Sequence, residues 1–153
     1  MIDDRLVAFW EAARGRKASD RERGRFLEAV AEARRAGATD ELIAHGIRRH
    51  AARGAPWDGP NVARETARAV LADWHAEVGR DPKRETVGAI LADVEFSAKY
   101  LRGAATGHDG RPVRVETAGR ARCERVLAWA GKHAETLAEA RDWPDVRARR
   151  ATA

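Results

Sequence analysis

The sequence predicts an all-α protein, a compact bundle of about six amphipathic helices with a helix-turn-helix-like pair in its N-terminal third. Three observations carry this. Apolar residues recur at helical spacing along most of the chain. Capping and stop residues flank each such run. Period-two alternation is confined to Val113-Arg114-Val115, too short for a sheet. With 153 residues the chain can bury a core without staples. One domain is expected over residues 1–141, with a sub-boundary at 55–60, followed by a basic tail over 142–153 expected to fray.

Asp3 or Asp4 caps a first helix reaching about Ala13, with Leu6, Val7 and Trp10 on one face and Phe9 beside them. Arg14-Gly15-Arg16-Lys17 breaks it. Ser19-x-x-Glu22 is a capping-box pattern, and the helix it opens aligns Phe26, Leu27, Val30 and Ala33 before Gly37. Thr39 caps the next helix, with Leu42, Ile43 and Ile47 as its stripe and an end near Gly54. Ala55-Pro56-Trp57-Asp58-Gly59-Pro60 reads as a loop.

Asn61 then starts a helix to about Val78, carrying Ala63, Ala67, Val70, Leu71 and Trp74 at helical spacing. Asp81-Pro82 reads as an N-cap followed by a first-turn proline, opening a helix with Val87, Ile90, Leu91, Val94 and Leu101 inward and a stop at Gly103. Residues 103–115 form the longest irregular stretch. A last helix is expected from Glu116 to Arg141, with Cys123, Val126, Leu127, Ala130, Ala134 and Leu137 on its apolar face, ended by Asp142-Trp143-Pro144.

Of the 29 basic side chains, 25 are arginine and four are lysine. Arginine grips phosphate or carboxylate through a planar fork of donors, so the skew points to nucleic acid. A GC-rich coding sequence produces the same skew without any function. The formal net charge of +5 favours polyanionic partners and is uneven: residues 1–54 hold 12 basic and nine acidic groups, 55–103 seven and eight, and 104–153 ten and seven. Two basic ends therefore flank a near-neutral middle. The single Cys123 excludes an internal disulfide framework and fits a reducing cytoplasm. No apolar run approaches the roughly 20 residues a membrane span needs, and the opening Met1-Ile2-Asp3-Asp4 lacks the basic start of a signal peptide.

The motifs of catalysis are missing. There is no phosphate loop, dinucleotide fingerprint or zinc-protease helix motif. No histidine has Glu three residues before it, as a di-iron bundle requires. Glu41 with His45, and Asp73 with His75, supply too few ligands for a metal and read as surface pairs. Cys123, on an apolar stripe, reads as a small buried hydrophobe, and His108-Asp109-Gly110 as a turn. No enzyme activity, cofactor or metal is expected.

Binding features are richer. On the helix after Thr39, His45, Arg48, Arg49 and Arg53 lie away from Leu42, Ile43 and Ile47, giving a basic stripe behind a tight turn. Its N-terminal Asp40 and Glu41 would repel phosphates, so backbone contact is expected rather than base reading. Arg14, Arg16 and Lys17 form a second cluster, and Arg111 and Arg114, with Arg120, Arg122 and Arg125, a third. Arg147, Arg149 and Arg150 follow in the tail. Of five tryptophans, Trp10 and Trp74 lie on apolar stripes, while Trp57 and Trp143 sit in proline-containing turns and are candidates for a partner surface.

Phe9-Trp10-Glu11-Ala12-Ala13, a basic break, Phe26-Leu27-Glu28-Ala29-Val30 and an Ile43-containing helix together resemble helical modules of phage and plasmid replication proteins over the first 75 residues. Ala13-Arg14-Gly15 stands where those modules carry Tyr-Pro, and the resemblance transfers no functional residue. By size, charge and helical character the chain also looks like the small helical subunits of CRISPR effector complexes. The combined expectation is a non-catalytic, cytoplasmic accessory subunit of a larger nucleoprotein assembly. It would touch DNA or RNA backbone through Arg14, Arg16, Lys17, Arg48, Arg49, Arg53, Arg111 and Arg114, and neighbouring protein subunits as well. The alternatives are a protein-interaction adaptor using Trp57 and Trp143, and a helix-turn-helix transcriptional regulator.

Overall fold

The computed structural model describes residues 2–52, 59–81 and 85–144. Seven helices lie within them: α1 (Ile2–Arg14), α2 (Asp20–Arg35), α3 (Asp40–Ala52), α4 (Gly59–Glu77), α5 (Val87–Leu101), α6 (Thr117–Lys132) and α7 (Ala134–Arg141). The architecture is all-α. Outside the helices the only strand-like pairing among the described residues is an isolated antiparallel bridge between Thr106 and Pro112, and Val113-Arg114-Val115 is not a strand. No helix among the described residues is long and apolar enough to cross a membrane.

The ends of α2 follow local chemistry. The Ser19 hydroxyl accepts from Glu22 N while the Glu22 carboxylate accepts from Ser19 N, completing the capping box. At the other end Gly37 N–H donates to the Arg34 carbonyl and Ala38 N–H to the Ala33 carbonyl, the paired closure of a Schellman motif. Gly37 adopts φ +99°, a conformation that suits glycine. A Cβ there would also lie 2.8 Å from Leu71 Cδ1. Arg34 then bonds Asp3 and Asp40, each at 2.8 Å, tying the start of α1 to the start of α3.

α3 and α4 pack closely against each other. Gly46 and Gly59 meet at their crossing: a Cβ on Gly46 would collide with the Gly59 carbonyl oxygen. Helix α4 begins at Gly59, two residues earlier than its expected start at Asn61.

Helix α5 begins later than the Asp81-Pro82 pattern indicated. Thr86 is its N-cap, accepting from Ala89 N, and the Val87 N–H is satisfied by the Gly37 carbonyl at 2.9 Å. A tertiary acceptor and a hydroxyl cap therefore fix the start, where the apolar stripe also begins. The single helix expected over 116–141 is two helices. His133 interrupts it with φ −114° and ψ 20°, and its ring is fastened to α4.

All seven helices contribute to one core, in which the Trp74 and Trp129 rings meet edge to face with centroids 4.9 Å apart. Tyr100, Ala105 and Cys123 form a smaller cluster beneath Leu101, Val113 and Val115. The Tyr100 hydroxyl donates to the Arg114 carbonyl and accepts from Glu116 N, pinning the end of the 103–115 loop and the N-cap of α6 to α5.

Candidate nucleic-acid interface

The three basic clusters meet different fates. The first gathers at the corner of α1 and α2. Arg14, in the last turn of α1, lays its guanidinium 4.5 Å from the centroid of the Trp10 ring and donates from Nη2 to Glu22 Oε2 at 2.5 Å. Its side chain is only 8 % exposed, so Arg14 is internal wiring more than a surface charge. The hydrogen bond from Arg14 is the main reason the Glu22 carboxyl is pushed down to about pKa 2. The other face of Trp10 stacks on Phe26, with centroids 4.3 Å apart and planes 3° from parallel. Ala18 N–H donates to Glu11 at 2.7 Å and holds the intervening loop in place.

That loop and the polar side of α2 present Arg16, Lys17 and Arg25 to solvent. Arg16 is 68 % exposed and stands 3.6 Å from Glu22, near enough for weak attraction and open enough to reach a ligand. Arg14, Arg16, Glu22 and Arg25 line a cavity of about 330 Å³ whose other walls include Trp10, Phe26 and Asn61. Among the described residues, Trp10 Nε1 and Arg14 Nη1 are buried without a hydrogen-bond partner. Asn61 belongs to the first turn of α4, where the aligned peptide dipoles place partial positive charge.

In the second cluster, the stripe on α3, Arg49 and His45 are spent inside the fold. Arg49 pairs with Glu139 of α7, and His45 Nε2 bonds the Asp142 carbonyl at 2.9 Å. Burial pushes the His45 imidazole below its ordinary pKa. Arg48 is half-buried with its Nε lacking a partner among the described residues, and Thr39 donates to the Ala140 carbonyl at 2.8 Å. The face expected to meet phosphates is thus the seat of α7. Arg53 and Trp57 lie outside the described residues.

The third cluster divides. Arg111 and Arg114 stand exposed on the 103–115 loop, Arg111 being 86 % exposed and 3.8 Å from Asp109. Arg122 instead clamps the buried Asp93 through two hydrogen bonds of 3.0 and 2.8 Å, while Ser97 donates to the same carboxylate. The bonds to Asp93 raise the Arg122 pKa further. Trp143 is half-buried, edge-on to Phe9 at 5.2 Å with Arg5 4.0 Å over its ring, so it closes the α1 side of the core.

The two acid–histidine pairs are also resolved otherwise. Asp73 faces His133, whose Nε2 lies 2.5 Å from Asp73 Oδ2, and the same oxygen accepts from Trp129 Nε1 at 3.0 Å. Among the described residues no three His, Cys, Asp or Glu side chains gather to hold a metal ion.

Two groupings escaped the sequence reading. Arg25 joins the α1–α2 corner, and Arg21-Glu22-Arg23-Gly24-Arg25 was its visible sign. Arg35, Arg64 and Arg68 share an open cleft of about 520 Å³ with Glu32. There Arg64 is paired with Glu32 at 2.9 Å and Arg68 with Glu65 at 3.3 Å, which leaves Arg35 as the unbalanced charge of the three. No protein-family model, curated protein or solved structure matches this chain.

Proposed function

We propose that this is a non-catalytic helical subunit that holds nucleic-acid backbone within a larger nucleoprotein assembly. One observation carries the reading: Arg16, Lys17 and Arg25 are exposed together around the α1–α2 corner, and among the described residues Glu22 is the one carboxylate lining its cavity. Phosphate contact needs exposed cations that internal carboxylates do not already hold. Arg111 and Arg114 offer a second such patch on their loop. Arg14 and Arg49 serve the fold in this reading.

Fluorescence anisotropy with single-stranded DNA, single-stranded RNA and duplex DNA tests it. Three phosphate contacts correspond to a loss of about 20-fold in affinity on a single strand, or about 40-fold on a duplex, between 50 and 200 mM salt. An Arg16→Ala/Lys17→Ala/Arg25→Ala variant is expected to lose most of this binding. Absence of binding to all three polymers at low salt would overturn the reading.

A protein-interaction surface is the second reading, favoured by Phe96. It is the one large exposed hydrophobic side chain among the described residues, beside a cavity of about 350 Å³ shared with Ala92, Lys99 and Ala105. Binding through that surface would be nearly indifferent to salt.

A further inference from the structure

The cavity at the α1–α2 corner has a composition that a backbone clamp alone does not require. Its rim is cationic, with Arg16 and Arg25, and the N-terminal turn of α4 adds partial positive charge at Asn61. Its walls are aromatic and aliphatic, with Trp10, Phe26 and Ala29. In its lining residues two buried N–H donors, Trp10 Nε1 and Arg14 Nη1, have no partner among the described residues. An unpaired buried donor is costly, more so on a charged group, and a bound acceptor is one way for a folded protein to satisfy it. Glu22 is committed twice over, to Arg14 and to Ser19, and does not supply it.

We infer that this cavity binds one nucleotide unit, its phosphate on Arg16 and Arg25 and its base along the Phe26–Ala29 wall, with a base acceptor meeting the Trp10 and Arg14 donors. Both faces of the Trp10 ring are covered, one by Phe26 and the other by Arg14. Trp10 therefore offers no stacking face, and the inference assigns it only its N–H edge. At about 330 Å³ the cavity lies at the small end of the range for ligand pockets, about 300–1,000 Å³. A free nucleotide and an unpaired nucleotide of a strand offer the same chemistry. The inference rests on the nucleic-acid reading above for the second source and stands without it for the first.

The test follows the indole N–H signals by NMR, with the Trp10 signal identified by a Trp10→Phe variant. Adenosine monophosphate, uridine monophosphate, inorganic phosphate, benzoate and a five-nucleotide single strand are titrated in turn. A nucleoside monophosphate is expected to shift the Trp10 signal and to bind about tenfold more tightly than inorganic phosphate or benzoate. Arg16→Ala/Arg25→Ala removes only exposed side chains, so the fold is retained, and it is expected to weaken nucleotide binding about tenfold, the effect of roughly one charge-assisted hydrogen bond. Equal binding of inorganic phosphate or benzoate would overturn the inference, as would nucleotide binding unaffected by the double variant. If no mononucleotide moves Trp10 while strands still bind with steep salt dependence, the cavity inference fails and the backbone reading survives. If mononucleotides bind and strands do not, the backbone reading fails and the cavity is a site for free nucleotides.

Discussion

Glu22 does two jobs at one position, completing the cap of α2 and holding the guanidinium of Arg14. Its proton is bound less readily in the fold than in the unfolded chain. The ionised form therefore stabilises the fold above the ordinary pKa of 4.5, and that contribution drains away as the pH falls to about 2. Glu22→Gln keeps an acceptor for the capping box and removes only the charge. The stability gap between the wild type and this variant, read by urea denaturation, is expected to close as the pH drops from 5 to 2. A gap that stays constant would show that the charge contributes nothing. Asp93 is a sterner case because its side chain is 1 % exposed while Arg122 is 39 % exposed. Asp93→Ala strands a partly desolvated guanidinium and the Ser97 hydroxyl. The expected cost is about 2–3 kcal/mol, below that of a fully buried broken pair because water still reaches Arg122. A loss below about 0.5 kcal/mol, in the ordinary range of surface changes, would refute it.

At the scale of elements, what could be read from the sequence was what neighbours along the chain decide. Ser19 with Glu22, Gly37 and Gly103 are local signals, and α2 and α5 end where they indicate. The departures arise from partners far along the chain. Nothing within α6 announces the break at His133, because the group that holds its ring is Asp73, 60 positions away. The basic stripe of α3 looked outward because Glu139, which takes Arg49, lies 90 positions on. Of the candidate site, Arg14, Arg16 and Lys17 were legible as a basic break, whereas Arg25 joined them only when α1 and α2 folded together. The same holds for Gly46, an unremarkable residue inside a helical stripe until α4 crosses over it. Gly46→Ala improves local helix propensity by about 1 kcal/mol, yet its methyl must displace the Gly59 backbone. A net loss of about 1–3 kcal/mol is expected from overpacking, seen as a lower melting temperature. A gain in stability would mean that the α3–α4 crossing is looser than its geometry indicates.

Across the whole molecule, arginine performs two kinds of work, and the two should separate under mutation. Arg14, Arg34, Arg49 and Arg122 each hold a carboxylate belonging to another element or to a distant part of the chain, joining α1 to α2, α2 to α1 and α3, α3 to α7, and α6 to α5. Among the described residues Arg16, Lys17 and Arg25 join nothing of that kind, apart from the 3.6 Å approach of Arg16 to Glu22. Removing these three cations lowers the formal net charge from +5 to +2 while leaving every interhelical pair in place. Weak self-repulsion is relieved at the same time, so the melting temperature of the triple alanine variant is expected to stay level or rise slightly. Its affinity for a nucleic-acid strand is expected to fall, and the slope of affinity against salt to flatten by about two to three contacts. Arg49→Ala should do the reverse. It leaves Glu139 half-buried and unpaired, costs stability of about 1–2 kcal/mol, and leaves strand affinity and its salt slope unchanged once the protein is folded. Melting curves and anisotropy on the same two variants decide the matter. Loss of affinity in Arg49→Ala with full stability would return the binding face to α3. Loss of both properties together in both variants would mean that structural and binding arginines are not separable in this fold.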